Sequence, residues 1–263
     1  MDLNLAGKHA LVCGGSLGIG RAAALELAQL GADVTVLARS REALQAVVGA
    51  LPKTHAAQTH GLVAADANDT AAFGAAIETL VRTKPVQILV NNSGGPPGGP
   101  AHGAKVEEYT TAFRQHLLAN QTALQAVLPG MRAAGFGRVV NVISTSVKEP
   151  IENLGVSNTV RAAVAGWAKT CSRELAPFGI TVNNVLPGFT QTQRLTAIVA
   201  AKSKASGASE DAVAHELLGV VPAGRFAEPA EVAAVIAFLC SPAAAYVNGV
   251  SIAVDGGRTH ALS

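Results

Sequence analysis

Short β-branched runs alternate along this chain with longer Ala/Leu-rich segments, and that alternation restricts the fold more than any other feature. Strands are predicted at "HALVCG" (9–14), "DVTVLA" (33–38), "THGLVAAD" (59–66), "VQILVNN" (86–92), "GRVVNVIS" (137–144), "GITVNNVLP" (179–187) and "GVSIAVDGG" (249–257). Helices are predicted near 18–30, 40–50, 69–83, 105–133, 153–177 and 228–240. The strands are nearly continuous apolar runs rather than alternations of period two, as expected where both faces of a sheet are covered. Strand–helix–strand repetition with right-handed crossovers gives an α/β fold: a Rossmann-type, doubly wound parallel sheet of seven strands with helices on both faces. No linker, repeat or low-complexity block interrupts the chain, so residues 1–263 are expected to form one domain.

Composition narrows the function. Hydrophobic residues make up 49% and charged residues 14%, too apolar a balance for disorder. The net charge is +2 with no basic run, which argues against a nucleic-acid surface. Cys13, Cys171 and Cys240 are scattered without metal-ligand spacing, so no metal is expected. The start "MDLNLAGKHALVCGG" lacks a signal-peptide layout, and no uninterrupted apolar stretch reaches roughly 18 residues. A soluble, cytoplasmic protein without a membrane partner is expected. Segment 190–224 breaks the strand–helix alternation. It is polar, Gly/Ser-rich and follows a strand's carboxyl end, where doubly wound folds bind ligands, so it reads as a substrate lid. The alternative is a surface helical hairpin without function.

"CGGSLGIGR" (13–21) joins the first strand to the first helix. Gly14 permits a tight turn, Gly18 lets the backbone approach a pyrophosphate, and Gly20 lets the helix pack close to the sheet. The helix amino terminus then offers free N–H groups and partial positive charge to phosphates. Nucleotide choice is made at the end of the second strand, where an acidic residue would bond ribose hydroxyls and repel a 2′-phosphate. "VLARSRE" places Arg39 there instead, and a guanidinium is shaped to grip phosphate. NADP(H) is therefore expected in preference to NAD(H), the alternative for Arg39 being a solvated residue opening a helix.

These features resemble the short-chain dehydrogenase/reductase family over nearly the whole chain, with a 3-oxoacyl-acyl-carrier-protein reductase-like character. "GGSLGIG" resembles its cofactor loop, with Cys13 in place of the usual threonine. "AADAND" puts Asp66 and Ala67 where the family contacts adenine, and "NNSGG" (91–95) resembles its NNAG segment. "VNNVLPGFTQT" (182–192) resembles the segment that closes over the nicotinamide, and "EPAEVAAVIAFLCSPAAAYVNGVSIAVDGG" resembles the carboxyl-terminal signature. The resemblance implies cofactor contacts at Gly14, Ser16, Leu17, Gly18, Ile19, Gly20, Arg39, Asp66, Ala67, Asn92, Ser93, Gly94, Arg161, Pro187, Gly188, Thr190 and Thr192. It also implies hydride transfer between nicotinamide C4 and a carbonyl or carbinol carbon, and a homodimer or homotetramer. Helix 153–177, with small residues Ala162, Ala163, Ala165, Gly166 and Ala168, would join the long fourth helix in that interface; the alternative is an intrachain core helix.

The family's chemistry rests on Asn, Ser, Tyr and Lys. Ser144 matches the serine, but 13 residues later the tyrosine position holds Ser157, and four further on the lysine position holds Arg161. The asparagine position, counted back from "VLPGM", holds His116. A serine hydroxyl is a far weaker acid than a phenol of pKa about 10, and an arginine does not relay protons. A water held by Ser144 and Ser157, His116, and Lys148 are the candidate proton donors, with Ser146 a second-choice serine on the face of Ser144 if the strand continues. Two readings stay open: an oxidoreductase with an atypical S-x-x-x-R site, and a dinucleotide-binding protein with little or no catalysis, such as a redox sensor or an inactive subunit.

Overall fold

The computed structural model describes residues 1–262. Seven parallel strands form one sheet: β1 (His9–Cys13), β2 (Asp33–Ala38), β3 (His60–Ala64), β4 (Ile88–Asn91), β5 (Gly137–Val142), β6 (Ile180–Pro187) and β7 (Ser251–Val254). Their order is β3-β2-β1-β4-β5-β6-β7, which reverses direction between β1 and β4. Doubly wound sheets open a crevice at such a reversal, beyond the carboxyl ends of the strands. The helices are α1 (Gly18–Gln29), α2 (Arg41–Ala50), α3 (Thr70–Thr83), α4 (Val106–Phe113), α5 (Ala119–Ala134), α6 (Gly155–Leu175), α7 (Gln193–Ser206), α8 (Glu210–Gly219) and α9 (Pro229–Cys240). One face of the sheet buries Leu27 of α1 and Ile236 of α9, and the other buries Phe73 and Ile77 of α3, Met131 of α5 and Leu175 of α6.

Three features depart from the sequence expectations. The single helix predicted over 105–133 is divided by a π-turn, Arg114–Leu118, in which the Ala119 N–H reaches back five residues to the Arg114 carbonyl. The wider turn carries His116 into the interior, where it is 2% exposed. β5 stops at Val142, and Ser144 Oγ accepts from the Ser146 N–H at 3.1 Å, starting a 3₁₀ turn over Thr145–Val147. The strand therefore does not continue, and Ser146 is not the same-face neighbour of Ser144; its hydroxyl is buried without a hydrogen-bond partner. β7 is shorter than predicted because Gly249, Gly256 and Gly257 adopt left-handed conformations at its two ends. Segment 190–224 folds into α7 and α8, packed through Leu195, Val199, Val213 and Leu217.

A polar ladder crosses four strands of the sheet. Asn91, Asn141, Asn184 and Ser251 occupy partnered positions on four successive strands. Asn91 Nδ2 donates to Asn141 Oδ1 at 2.9 Å, Asn141 Nδ2 to Asn184 Oδ1 at 3.0 Å, and Asn184 Nδ2 to Ser251 Oγ at 3.0 Å. Each buried amide is satisfied by its neighbour, which pins the register of β4 through β7 just below the crevice. Asn141→Leu would orphan a donor on Asn91 and an acceptor on Asn184. Denaturant unfolding should show a loss of about 2–6 kcal/mol, since each of the two orphaned buried groups costs about 1–3 kcal/mol; an unchanged midpoint would contradict the ladder.

Candidate active site

The turn after β1 is built on close backbone approach. Gly14 (φ 60°) and Gly18 (φ 52°) both lie in the left-handed region. A Cβ on Gly20 would sit 2.2 Å from the Gly14 carbonyl oxygen, so helix and turn could not close as they do with any other residue there. Asn92 Nδ2 donates to that same carbonyl at 3.1 Å, tying the end of β4 to the turn. α1 begins after Leu17 with no side-chain cap and no acidic residue in its first turn. Its first N–H groups and the positive end of its dipole face the crevice, a cradle of the kind that receives phosphate. Ser16 and Ile19 complete the loop, and the Thr192 methyl lies 3.1 Å from where a Gly18 Cβ would be, so Thr192 packs over the cradle. Within the segment Pro187–Thr192, Gly188 fits only because a side chain would meet Asp255, and Thr190 Oγ1 donates to the Gly188 carbonyl at 3.2 Å.

Arg39 follows β2, is exposed and forms no salt bridge among the described residues. Ser40 caps α2 by accepting from the Ala43 N–H at 3.2 Å, which starts the helix one residue later and leaves Arg39 at the crevice edge. After β3, Asp66 is turned inward on its own loop: its Oδ1 accepts from the Asn68 N–H at 3.0 Å and from Asn68 Nδ2 at 2.9 Å. Ala67 beside it is half-buried, and Gln115 Nε2 donates to Asn68 Oδ1 at 2.7 Å, fastening this loop to the π-turn.

The deeper part of the crevice gathers His116, Ser93 and Arg161. His116 Nδ1 and Ser93 Oγ are 2.7 Å apart, and His116 Nε2 is buried without a partner. Burial first, then the guanidinium groups of Arg161 and Arg194, lower the His116 pKa to about 3, so the imidazole is neutral at pH 7. Arg161 is 7% exposed; its Nη1 donates to the Val142 carbonyl at 2.9 Å and its Nε is buried without a partner. Desolvation, then the nearby Arg194, lower its pKa to about 10, which still leaves it charged at neutral pH. Ser157 is buried one helical turn before Arg161 on the inner face of α6, while Ser144 is half-buried above β5. Among the described residues Ser144 and Ser157 are not hydrogen-bonded to each other. Lys148, half-buried at the end of the 3₁₀ turn, makes no side-chain hydrogen bond among the described residues. Gly94 is exposed beside this cluster, with open space where its side chain would be.

Sequence reasoning missed Arg194, Gly95 and Pro96. Arg194, in the first turn of α7, donates from Nη1 to the Gly95 carbonyl at 3.2 Å and from Nη2 to the Pro96 carbonyl at 2.9 Å. The run "GGPPGG" (94–99) after the NNSGG segment was the available signal, since a glycine next to a buried cation leaves space a side chain would fill. A groove of about 520 Å³ runs from Thr192 along α7 and α8, past Leu195, Glu210, Asp211 and Phe226. Cys13, beside the glycine loop, is pushed up to about 12 by burial, so its thiol stays protonated.

A family model described as enoyl-(acyl carrier protein) reductase matches residues 14–259. The 3-oxoacyl-[acyl-carrier-protein] reductase FabG of Vibrio cholerae serotype O1 is 35% identical, covering 97% of this chain and 98% of that protein. Cyclohexanol dehydrogenase of Rhodococcus sp. is 34% identical and covers 98% of each. Among solved structures, L-sorbose reductase from Gluconobacter frateurii, complexed with NADPH and L-sorbose, superposes with a TM-score of 0.92 at 29% identity over 100% of both chains.

The buried imidazoles set a pH dependence. His9 is lowered to about 4, chiefly by burial, and His116 to about 3, against an ordinary value of 6.5. The unfolded chain therefore binds more protons than the folded one below pH 6.5, so this stability is full above that pH and drains away as pH falls toward 4 and 3. His116→Asn should lose less unfolding free energy than the parent between pH 6.5 and 4. Equal losses in urea titrations would contradict a neutral, buried His116.

Proposed function

Because the chain belongs to the short-chain dehydrogenase/reductase family, we propose that it is an NADP(H)-dependent oxidoreductase reducing a carbonyl or oxidising an alcohol in a 3-oxoacyl reductase-like reaction. The observation that carries the reading is the glycine cradle: Gly14 and Gly20 approach so closely that the uncapped end of α1 is left open for a pyrophosphate. Arg39 holds the 2′-phosphate, Asp66 and Ala67 flank the adenine, and Asn92, Ser93 and Gly94 with Pro187, Gly188, Thr190 and Thr192 line the nicotinamide end. The bound nicotinamide supplies or takes a hydride at C4.

The chain's own residues do the rest through an atypical S-x-x-x-R centre. Ser144 and Ser157 donate hydrogen bonds to the substrate oxygen and hold the water that exchanges its proton. Arg161 holds ribose hydroxyls and supplies fixed positive charge near the developing alkoxide. His116 is a positioning residue: with a pKa of about 3 it is too weak a base, and too rarely protonated, to serve as the acid at pH 7. Segment 190–224 acts as the substrate lid over one domain spanning 1–263. The protein works in the cytoplasm as a homodimer or homotetramer joined through α5 and α6, where Ala162 and Gly166 are exposed small residues; no described helix is long and apolar enough to cross a membrane.

NADPH should bind more tightly than NADH, and Arg39→Ala should remove most of that difference, about tenfold to a hundredfold for one charge-assisted contact. Nicotinamide fluorescence titration reads this directly, and equal affinities in the parent protein would overturn the assignment. Reduction of simple ketones by the parent should be weak or narrow, and Ser157→Tyr with Arg161→Lys should raise it by supplying a titratable acid and a neighbour that lowers its pKa. If NADPH binds but neither form oxidises it across a panel of ketones and oxo acids, the protein is a dinucleotide-binding protein without catalysis.

A further inference from the structure

Two guanidinium groups converge on the space beside Gly95. The point a Gly95 Cβ would occupy is 3.0 Å from Arg194 Nη2 and 3.8 Å from Arg161 Nη2. Arg161 forms the floor: it is 7% exposed, anchored through Nη1 to the Val142 carbonyl, and its Nε is buried without a partner. Arg194 forms the rim, exposed on the first turn of α7 and held over the gap by the Gly95 and Pro96 carbonyls. Neither cation has a carboxylate partner among the described residues, and the next titratable neighbour, His116, is neutral. A buried cation facing a second cation is costly unless an anion enters between them. The missing side chain at Gly95 leaves the room for one.

We propose that this space binds a carboxylate of the substrate, so that the compound accepted is an oxo acid or hydroxy acid rather than a neutral ketone or alcohol; the proposal rests on the oxidoreductase reading above. A carboxylate presents two oxygens to paired planar N–H donors, the geometry guanidinium groups recognise best. It would neutralise the repulsion between Arg161 and Arg194 and hold the reacting carbon close to Ser144 and Ser157. The cofactor's own phosphates are served elsewhere, by the backbone N–H groups after β1 and by Arg39. Because Arg194 belongs to α7, the same anion would fasten the lid segment over the crevice.

The test uses calorimetric titration of the full chain, with and without NADPH, against acetoacetate, its methyl ester and the unreactive dianion malonate. Acetoacetate should bind at least about tenfold more tightly than the ester, and malonate should bind the cofactor-free protein. Arg194→Gln, a surface change that leaves the core intact, should abolish the preference for the acid, weaken malonate at least about tenfold, and leave NADPH affinity within about twofold; Arg194→Lys should restore part of the preference. Equal binding of acid and ester, or a preference that survives Arg194→Gln, would overturn the proposal. So would an Arg194→Gln variant that loses NADPH but keeps its preference, since the pair would then serve a cofactor phosphate. Failure of NADPH to bind sinks the oxidoreductase reading by itself, while the malonate titration still reads the anion site.

Discussion

The contact between Gly20 and the Gly14 carbonyl, where a Cβ would lie 2.2 Å from oxygen, decides how close the first helix can come to the sheet. Everything at the crevice takes its position from that closeness. Because α1 packs so tightly, the Gly14 carbonyl can accept from Asn92, and the end of β4 is drawn against the end of β1. Ser93 and Gly95 follow directly on Asn92, so the same lock sets where His116 and the two arginines meet. Below them the Asn91–Asn141–Asn184–Ser251 ladder holds the four strands in register. The upper side is closed by Thr192, which packs on Gly18 and begins the segment leading into α7.

The centre of the site is defined by charge more than by acid–base groups. An ordinary member of the family has a phenol and an ammonium one turn apart, and both can move protons. Here the buried Arg161 keeps its charge even with its pKa lowered to about 10, while burial first, and then Arg161 and Arg194, bring the neighbouring imidazole to about 3. Positive charge near a developing alkoxide stabilises it whichever group delivers the proton. A site so charged favours anions and developing negative charge, with hydroxyls and guanidinium N–H groups as donors to a bound oxygen.

The seven-stranded parallel sheet and the glycine turn after its first strand were legible because they depend on local signals: continuous β-branched runs and glycines at fixed offsets between a strand and a helix. Arg39 follows β2 directly, as the sequence reading placed it. The π-turn at Arg114–Leu118 was not legible, because an extra residue in a helix leaves no mark on an apolar pattern and shows only in the buried setting of His116. The end of β5 was misjudged because "VIS" reads as strand, whereas the Ser144 hydroxyl diverts the backbone by capping the next turn. Arg194 escaped notice since its role comes from a contact across 99 residues with a carbonyl that no sequence periodicity reports.

A crystal structure of the protein grown with NADPH would show whether this framework holds NADP(H) with its reactive end over Ser144 and Arg161. The 2′-phosphate is expected against Arg39, the pyrophosphate on the N–H groups of Gly18–Gly20, and the nicotinamide between Gly188 and Ser144. Crystals that take up no cofactor at millimolar NADPH, or a nicotinamide directed away from Ser144, would contradict that placement.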